Sequence, residues 1–327
     1  MVYDNDVRGT NKLGVEAEGL GKRYGDLWAL RDLDLAVPAG SVFGLLGHNG
    51  AGKTTALKIL TTLATPTTGR ASVAGHDVVT HGARVRACIG VAGQAATVDG
   101  LLTARANLVM VGRLYHLSPA AARARADELL AQLELADVAT KLVKEFSGGM
   151  KRRLDLAASL VARPQVLFLD EPTTGLDPHS RNSLWDLLRA QVKAGTTLVL
   201  TTQYLEEADR LADHIAVLDH GVVAAQGSPA ELKARFGGER IAITLMDAAA
   251  IPRAAAALSA FVDGVVVEYP EARQVVIPVR TGTRLVEVVR ALDAAGLDAH
   301  DVHRREVTLD DVFLAITRRE RAVKEAA

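Results

Sequence analysis

Cysteine is nearly missing from this chain: Cys88 stands alone among 327 residues. A lone thiol excludes an internal disulfide, and no Cys/His cluster stands at the ligand spacing of a structural zinc site, which suits a reducing cytoplasm. Charge of one sign is missing too. Lys and Arg number 38 against 39 Asp and Glu, a formal net charge of -1. No global basic field therefore gathers DNA or RNA, and no nucleic acid partner is expected. No apolar run reaches the roughly 18 residues that a membrane-crossing helix needs. The opening MVYDNDVRGTNKLG is polar rather than signal-like, and the alanine-rich stretch from Ala248 to Ala260 is interrupted by Pro252, Arg253 and Ser259. Any membrane role must come through a partner.

What is present is 49% hydrophobic and 24% charged residues, enough for one large core or two modest ones under an ordinary soluble surface, with two domains as the expectation. Residues 1–14 read as a disordered N-terminal segment. From Val15 to about Gln226 short Val/Leu-rich runs alternate with helical patterns, as in a mostly parallel sheet with helices packed on it. SVFGLLG, QVLFLDE and TTLVLTT are near-continuous apolar runs, as strands buried on both faces should be. Residues 100–163 show no strand pattern and predict a helical insert. Within it Ser118 is placed as N-cap, Pro119 at the first helical position, and Leu129, Leu130 and Leu133 at helical spacing.

Residues 228–239 predict a boundary helix, with Ser228 and Glu231 as a capping box and Gly237-Gly238 as its stop. Beyond it the expected order is a strand (Ile241 to Met246), a helix (Ala248 to Phe261), a hairpin in GVVVEYPEARQVVIPV, a helix (Arg284 to Ala295) and a strand near Val302. That βαββαβ order predicts a small α+β, ferredoxin-like domain over 240–318. Leu285, Val288, Val289 and Leu292 repeat at helical spacing, as do Leu309, Val312, Phe313 and Ile316 in TLDDVFLAIT. Residues 319–327 read as a frayed tail.

Three segments carry chemistry. Gly47, His48, Asn49, Gly50, Ala51, Gly52, Lys53 and Thr54, followed by Thr55, match G-x-x-x-x-G-K-[ST] between a strand and a helix. Glycines there let backbone N–H groups turn inward around phosphate oxygens, and the following helix adds about half a positive charge at its start. Lys53 is expected to reach the β- and γ-phosphates, and the Thr54 hydroxyl to ligate Mg2+. At the end of VLFLDE, Asp170 is placed to hold Mg2+ through water and Glu171 to polarise the attacking water. In FSGGMKRRLDLA, Ser147 as N-cap with Gly148 and Gly149 gathers a hydroxyl, bare N–H groups and a helix dipole on one point. The P-loop already holds the ATP phosphates, so a second copy of the chain is expected to present this tip, Ser147 to Met150, to the first copy's nucleotide.

P-loop, SGGM, FLDEPTTGLD and a later strand, in that order, resemble the ATP-binding subunits of ABC transporters over residues 15 to about 230. The resemblance implies a P-loop ATPase domain with a helical subdomain, and a head-to-tail homodimer closing on two ATPs. It also implies Tyr24 as the aromatic on adenine, Gln94 of IGVAGQ as the glutamine loop and a further Mg2+ contact, and Asp177 on the loop crossing the dimer. Two positions depart from the pattern. Met150 replaces a glutamine, and Gln203 replaces a histidine that touches the γ-phosphate; an amide donates a hydrogen bond there but carries no proton. With TTQYLEEAD, GRLYHLS and LDDVFLAIT, the chain resembles the daunorubicin-resistance branch of drug exporters. That branch implies an integral membrane permease from a separate gene and a place on the cytoplasmic face of the cell membrane. The competing expectation is a soluble ABC ATPase acting on ribosomes or nucleic acid, although such proteins usually carry two cassettes or long coiled coils.

Overall fold

A computed structural model describes residues 12–93, 97–235, 239–280 and 282–314. The expected N-terminal segment (in its first 11 residues), Gln94, the Gly237-Gly238 stop, Ile316 and the tail lie outside the described residues. The chain divides into two compact units, Met1–Gln226 and Gly227–Ala327.

The first unit opens with a hairpin of β1 (Leu13–Tyr24) and β2 (Leu27–Pro38). It continues with β3 (Val42–Leu46), α1 (Lys53–Leu60), β4 (Thr68–Val73), β5 (His76–Asp77), α2 (Gly82–Cys88) and β6 (Ile89–Ala92). The helical insert follows as α3 (Ala104–Leu114), α4 (Pro119–Gln132) and α5 (Gly148–Leu160), before β7 (Val166–Asp170), α6 (Pro178–Lys193), β8 (Thr197–Thr202), α7 (Leu205–Leu211), β9 (His214–Asp219) and β10 (Val222–Gly227). The central sheet has the order β10-β9-β3-β8-β7-β6, and β9, β3, β8, β7 and β6 pair in parallel. β3, β7 and β8, the three apolar runs, are buried at every position.

A second sheet, β2-β1-β4-β5, is antiparallel throughout and corrects the expectation of one mostly parallel sheet. Two residues, Gly25 and Asp26, join β1 to β2, and a connection that short can only make a hairpin. Bulges between Ala17 and Leu20 and between Leu20 and Lys22 break the alternation by which β1 could be recognised in the sequence. β1 also starts at Leu13, paired with Pro38, two residues before the expected domain boundary. In the insert, Ser118 Oγ accepts from Ala121 N at 3.2 Å with Pro119 in the first turn, and Leu129, Leu130 and Leu133 are buried.

The second unit begins with α8 (Pro229–Arg235), so this helix belongs to the unit rather than to a separate linker. Its capping box is formed: Ser228 N donates to Glu231 Oε2 at 2.8 Å and Glu231 N to Ser228 Oγ at 3.2 Å. Then come β11 (Glu239–Leu245), α9 (Ile251–Ala257), β12 (Val267–Tyr269), β13 (Gln274–Val279), α10 (Leu285–Ala294) and β14 (Ala299–Arg305). The antiparallel order β12-β13-β11-β14 is that of a ferredoxin-like βαββαβ unit. The single helix expected from Ala248 to Phe261 is instead α9 flanked by 3-10 turns at Ala248–Ala250 and Ser259–Phe261. Pro252 fits only a first turn, so α9 cannot extend back through it. On α10, Val288 and Leu292 are buried while Val289 faces solvent, which narrows the expected apolar stripe.

Residues 309–314 form a last helical turn, with Leu309 and Val312 buried. Its anchor is polar. Asp311, wholly buried, accepts from Tyr269 Oη at 3.0 Å, Arg305 Nη2 at 2.7 Å and Thr308 N at 3.0 Å. Burial, with the Asp311 charge beside it, pushes the Tyr269 phenol up to about 12.

In the first unit, Trp185 of α6 donates from Nε1 to Glu207 Oε1 of α7 at 3.2 Å, and Arg210 lies 4.8 Å from the indole centre. Glu207 is fully buried, and burial pushes its carboxyl pKa up from 4.5 against the opposing hydrogen bonds of Thr202, Trp185 and Thr173. The folded state then holds a proton that the unfolded chain has released. Stability should fall as pH rises through the window from 4.5 upward to the folded value. Glu207→Gln should remove that slope and be the more stable protein at neutral pH; urea melts from acid to neutral pH check it.

Candidate nucleotide site

Backbone geometry comes first. β3 delivers the chain to Gly47, where an added Cβ would stand 2.5 Å from Leu218 O and 2.8 Å from Ala51 Cβ. Gly52 takes φ 106 as the left-handed N-cap of α1, and a Cβ there would stand 2.6 Å from Ala29 O. Only glycine fits either place. The loop encloses a hollow of about 500 Å³ lined by Ala29, by every residue from His48 to Thr55, and by Glu171. Gly47 shapes that hollow from behind.

Lys53, 5% exposed, curls back into the loop that it closes. Its Nζ donates to Gly47 O at 2.7 Å and His48 O at 3.1 Å, and stands 3.7 Å from Glu171 Oε1. Burial pushes the ammonium pKa down, and the Glu171 and Asp170 carboxylates oppose that. Asp170 ends β7, accepting from Thr201 Oγ1 of β8 at 2.5 Å and from Thr54 Oγ1 of α1 at 3.3 Å. Glu171, 8% exposed, donates from its N to Thr201 O at 3.1 Å and accepts from Thr174 Oγ1 at 3.4 Å. Its φ of 48 is left-handed in a non-glycine residue, a conformation that costs about 1–3 kcal/mol and needs its surroundings to hold it.

Part of that hold comes from the helical insert. Arg152 of α5 donates from Nε to Pro172 O at 3.0 Å, and from Nη2 to Asp170 O at 2.8 Å and Glu171 O at 3.0 Å. Its Nη1 donates to Gly93 O. One guanidinium thus ties α5 to three consecutive carbonyls of the carboxylate turn and to the residue after β6. Burial lowers its pKa, against the pull of Asp155 and Asp170. At the start of the same helix, Ser147 Oγ accepts from Met150 N at 3.3 Å. Ser147 and Gly148 are exposed, a Cβ on Gly148 would meet nothing within 4 Å, and none of Ser147 to Met150 lines the hollow.

Residues 30–174 match the family described as ABC transporter, and residues 227–317 the family described as ATP-binding protein DrrA1-3-like, C-terminal domain. The chain is 52% identical to a daunorubicin resistance ATP-binding protein, DrrA3 of Streptomyces coeruleorubidus, over 96% of this chain and 98% of that one. The chain belongs to the ATP-binding subunits of ABC transporters. It binds ATP, and its hydrolysis of ATP powers export. A Nod factor export ATP-binding protein I of Burkholderia lata is 38% identical over 94% of this chain and 97% of its own. A solved ATP-binding subunit of an ABC transporter superposes with a TM-score of 0.63 at 28% identity, covering 68% of this chain and 93% of that one. A dimeric bacterial ABC transporter cassette gives 0.61 at 26% identity, covering 65% and 98%. These transport relatives set aside the ribosome or nucleic acid expectation.

The structure of this ABC subunit brings Lys53, Thr54, Asp170 and Glu171 together and leaves other expected residues apart. Tyr24, at the end of β1, is 49% exposed with Lys22 Nζ 5.2 Å from its ring centre, and it does not line the hollow. Gln203 is exposed in the bend after β8. Asp177 N-caps α6, and its bonds with Ser180, Oγ at 2.6 Å and N at 2.9 Å, hold its carboxyl below the usual range. Sequence inspection missed Arg152 and Thr201. The signal for Arg152 was an Arg/Asp pair at i, i+3, with Asp155, on a helix whose neighbours Leu154, Leu156 and Ala157 are apolar.

Arg152→Ala should leave binding of a fluorescent ATP analogue nearly unchanged and lower kcat at least about tenfold, the worth of one charge-assisted hydrogen bond. Arg152→Lys should restore little, because an ammonium cannot fork across the carbonyls of Asp170, Glu171 and Pro172. Steady-state ATPase assays with separately measured nucleotide affinity decide it.

Proposed function

We propose that this chain powers export of a drug, antibiotic or other hydrophobic molecule through a separately encoded integral membrane permease, working as a head-to-tail homodimer at the cytoplasmic face of the cell membrane. The observation that carries the dimer is the separation of two half-sites. The phosphate hollow lies at the start of α1, while the serine-glycine tip of α5 stands outside it, exposed at Ser147 and Gly148, where a Cβ on Gly148 would meet no described atom within 4 Å. A second copy supplies the missing half of each. The relatives named for daunorubicin and doxorubicin resistance share more identity with this chain than those named for Nod factor export, which favours a drug-like cargo.

On binding, Lys53 exchanges the carbonyls of Gly47 and His48 for phosphate oxygens. Thr54 Oγ1 and Asp170 Oδ2, 3.3 Å apart, are hard oxygen donors that suit Mg2+; the ion would neutralise charge between the β- and γ-phosphates. Glu171 orients and deprotonates the attacking water. The Ser147 hydroxyl and the N–H groups opening α5 of the partner copy meet the γ-phosphate, so ATP binds the closed dimer better than the open one, and that difference drives closure. Hydrolysis removes the contact and reopens it. Gln203 contributes one neutral hydrogen bond, and Tyr24 stacks on adenine.

Glu171→Gln should trap ATP and form a dimer on size-exclusion chromatography with ATP. Adding Ser147→Ala should abolish that dimer while single-chain nucleotide binding persists. A dimer indifferent to Ser147→Ala and to Ser147→Arg would overturn the composite site. Gln203→Ala should lower kcat, by up to about 100-fold for a lost donor worth about 3 kcal/mol, and Gln203→His should keep it; equal turnover in the alanine variant rules out the positioning role. Co-expression with the separately encoded permease should carry the chain into the membrane fraction.

A further inference from the structure

Three donor atoms converge beside the P-loop, away from the phosphate-gripping lysine. His48 Nε2 lies 2.8 Å from Asp219 Oδ1, and His220 Nε2 lies 3.8 Å from the same oxygen. One ligand atom from each of the three residues falls within 4.8 Å of the others. The two imidazoles meet edge to face, with centroids 5.1 Å apart. His48 Nδ1 is 2.6 Å from Asn49 O, so both nitrogens of this ring face acceptors. A neutral imidazole has a single N–H. With that proton given to Asn49 O, the Nε2 lone pair faces the Asp219 carboxylate, an arrangement that a metal cation between them would satisfy. An Nδ1–H held by a backbone carbonyl with Nε2 turned outward is also how metal-ligating histidines are oriented.

The support beneath these ligands is rigid. Asp219 is the buried last residue of β9. His220 and Gly221, at φ 45 and 81, make the turn into β10. Gly221 N donates to Ala51 O at 3.0 Å and Gly221 O accepts from Arg31 N at 2.7 Å, so the turn is bonded to the P-loop itself. His220 has 69% of its side chain exposed, free to swing in to the spacing of about 3.3 Å between donors around a tetrahedral ion.

We propose that His48, Asp219 and His220 form a site for a borderline divalent transition metal. Zinc suits it best, since two imidazoles, one carboxylate and a water complete its tetrahedral shell. Mg2+ takes all-oxygen shells and is not the ion for this nitrogen-rich site. Because His48 lines the phosphate hollow, the ion clamps one wall of the nucleotide site to the β9–β10 turn. Metal binding and ATP binding are therefore linked, and the coupling is reciprocal. The site was invisible in the sequence because His48 and Asp219 are 171 positions apart.

The test uses untagged, nucleotide-free, full-length protein titrated with Co2+ by absorption and with Zn2+ against a fluorescent chelator. One ion per chain with tetrahedral Co2+ bands is expected. His220→Ala and Asp219→Asn should each weaken binding at least about tenfold, while His303→Ala, which touches the separate pair with Asp301, should not. Zn2+ should shift the ATP dissociation constant of the wild type and leave that of His220→Ala, equal to wild type without metal, unmoved. No tetrahedral spectrum at millimolar Co2+, or equal affinity in His220→Ala, would overturn the site. Metal binding with an unchanged ATP affinity would overturn the linkage.

Discussion

Thr202 of β8 sits beside Leu46 of β3 on one flank, and Thr201 sits beside Asp170 of β7 on the other. That parallel register is the constraint from which the nucleotide site follows. With the carboxyl ends of three adjacent strands drawn level, the phosphate loop leaving β3 and the acidic pair leaving β7 arrive on either side of a threonine. The topology places ligands at that edge in open α/β sheets generally. Here Thr201 does more than fill the gap, because its hydroxyl fixes Asp170 and its backbone receives Glu171. A slip of one residue in β8 would turn the Thr201 hydroxyl to the opposite face and away from Asp170.

The left-handed Glu171 shows where this arrangement stores strain. A carboxylate at the mouth of a hollow is of use only if its backbone stays put, and the conformation it adopts is unfavourable alone. Arg152 holds three successive carbonyls around it from a helix whose first turn is the serine-glycine tip. Anything that displaces α5 therefore reaches the carboxylate turn through a buried guanidinium rather than through a flexible loop. The same side chain bonds to Gly93, so the segment after β6 shares that anchor.

How far the sequence foretold this divides along a physical line. The P-loop glycines, the Ser118 and Ser147 caps and the Ser228/Glu231 box were legible because each answers a need of its own backbone within a few residues. The fully buried strands were legible because burial on both faces leaves an unbroken apolar run. The antiparallel sheet was not, since bulges scramble the alternation of β1. Arg152, Thr201 and Asp219 were not, since their roles come from partners far along the chain. The helix across Ala248 to Phe261 was overextended because composition favoured it, while Pro252 restricted it to a short middle.

Asp311 has a bearing on how the second unit can vary. It is the wholly buried anion that answers Arg305 at 2.7 Å, with Arg240 Nε at 4.0 Å, yet it resides on the last described turn of the chain. The positive charges are built into β11 and β14, while their counterweight follows both strands in the chain. Until that turn docks, Arg305 lacks the buried carboxylate that it meets at 2.7 Å, a loss that desolvation of the pair makes costly. Losing Asp311 would make that loss permanent, so the turn over residues 309–314 is fastened to its sheet by charge as well as by the packing of Leu309 and Val312.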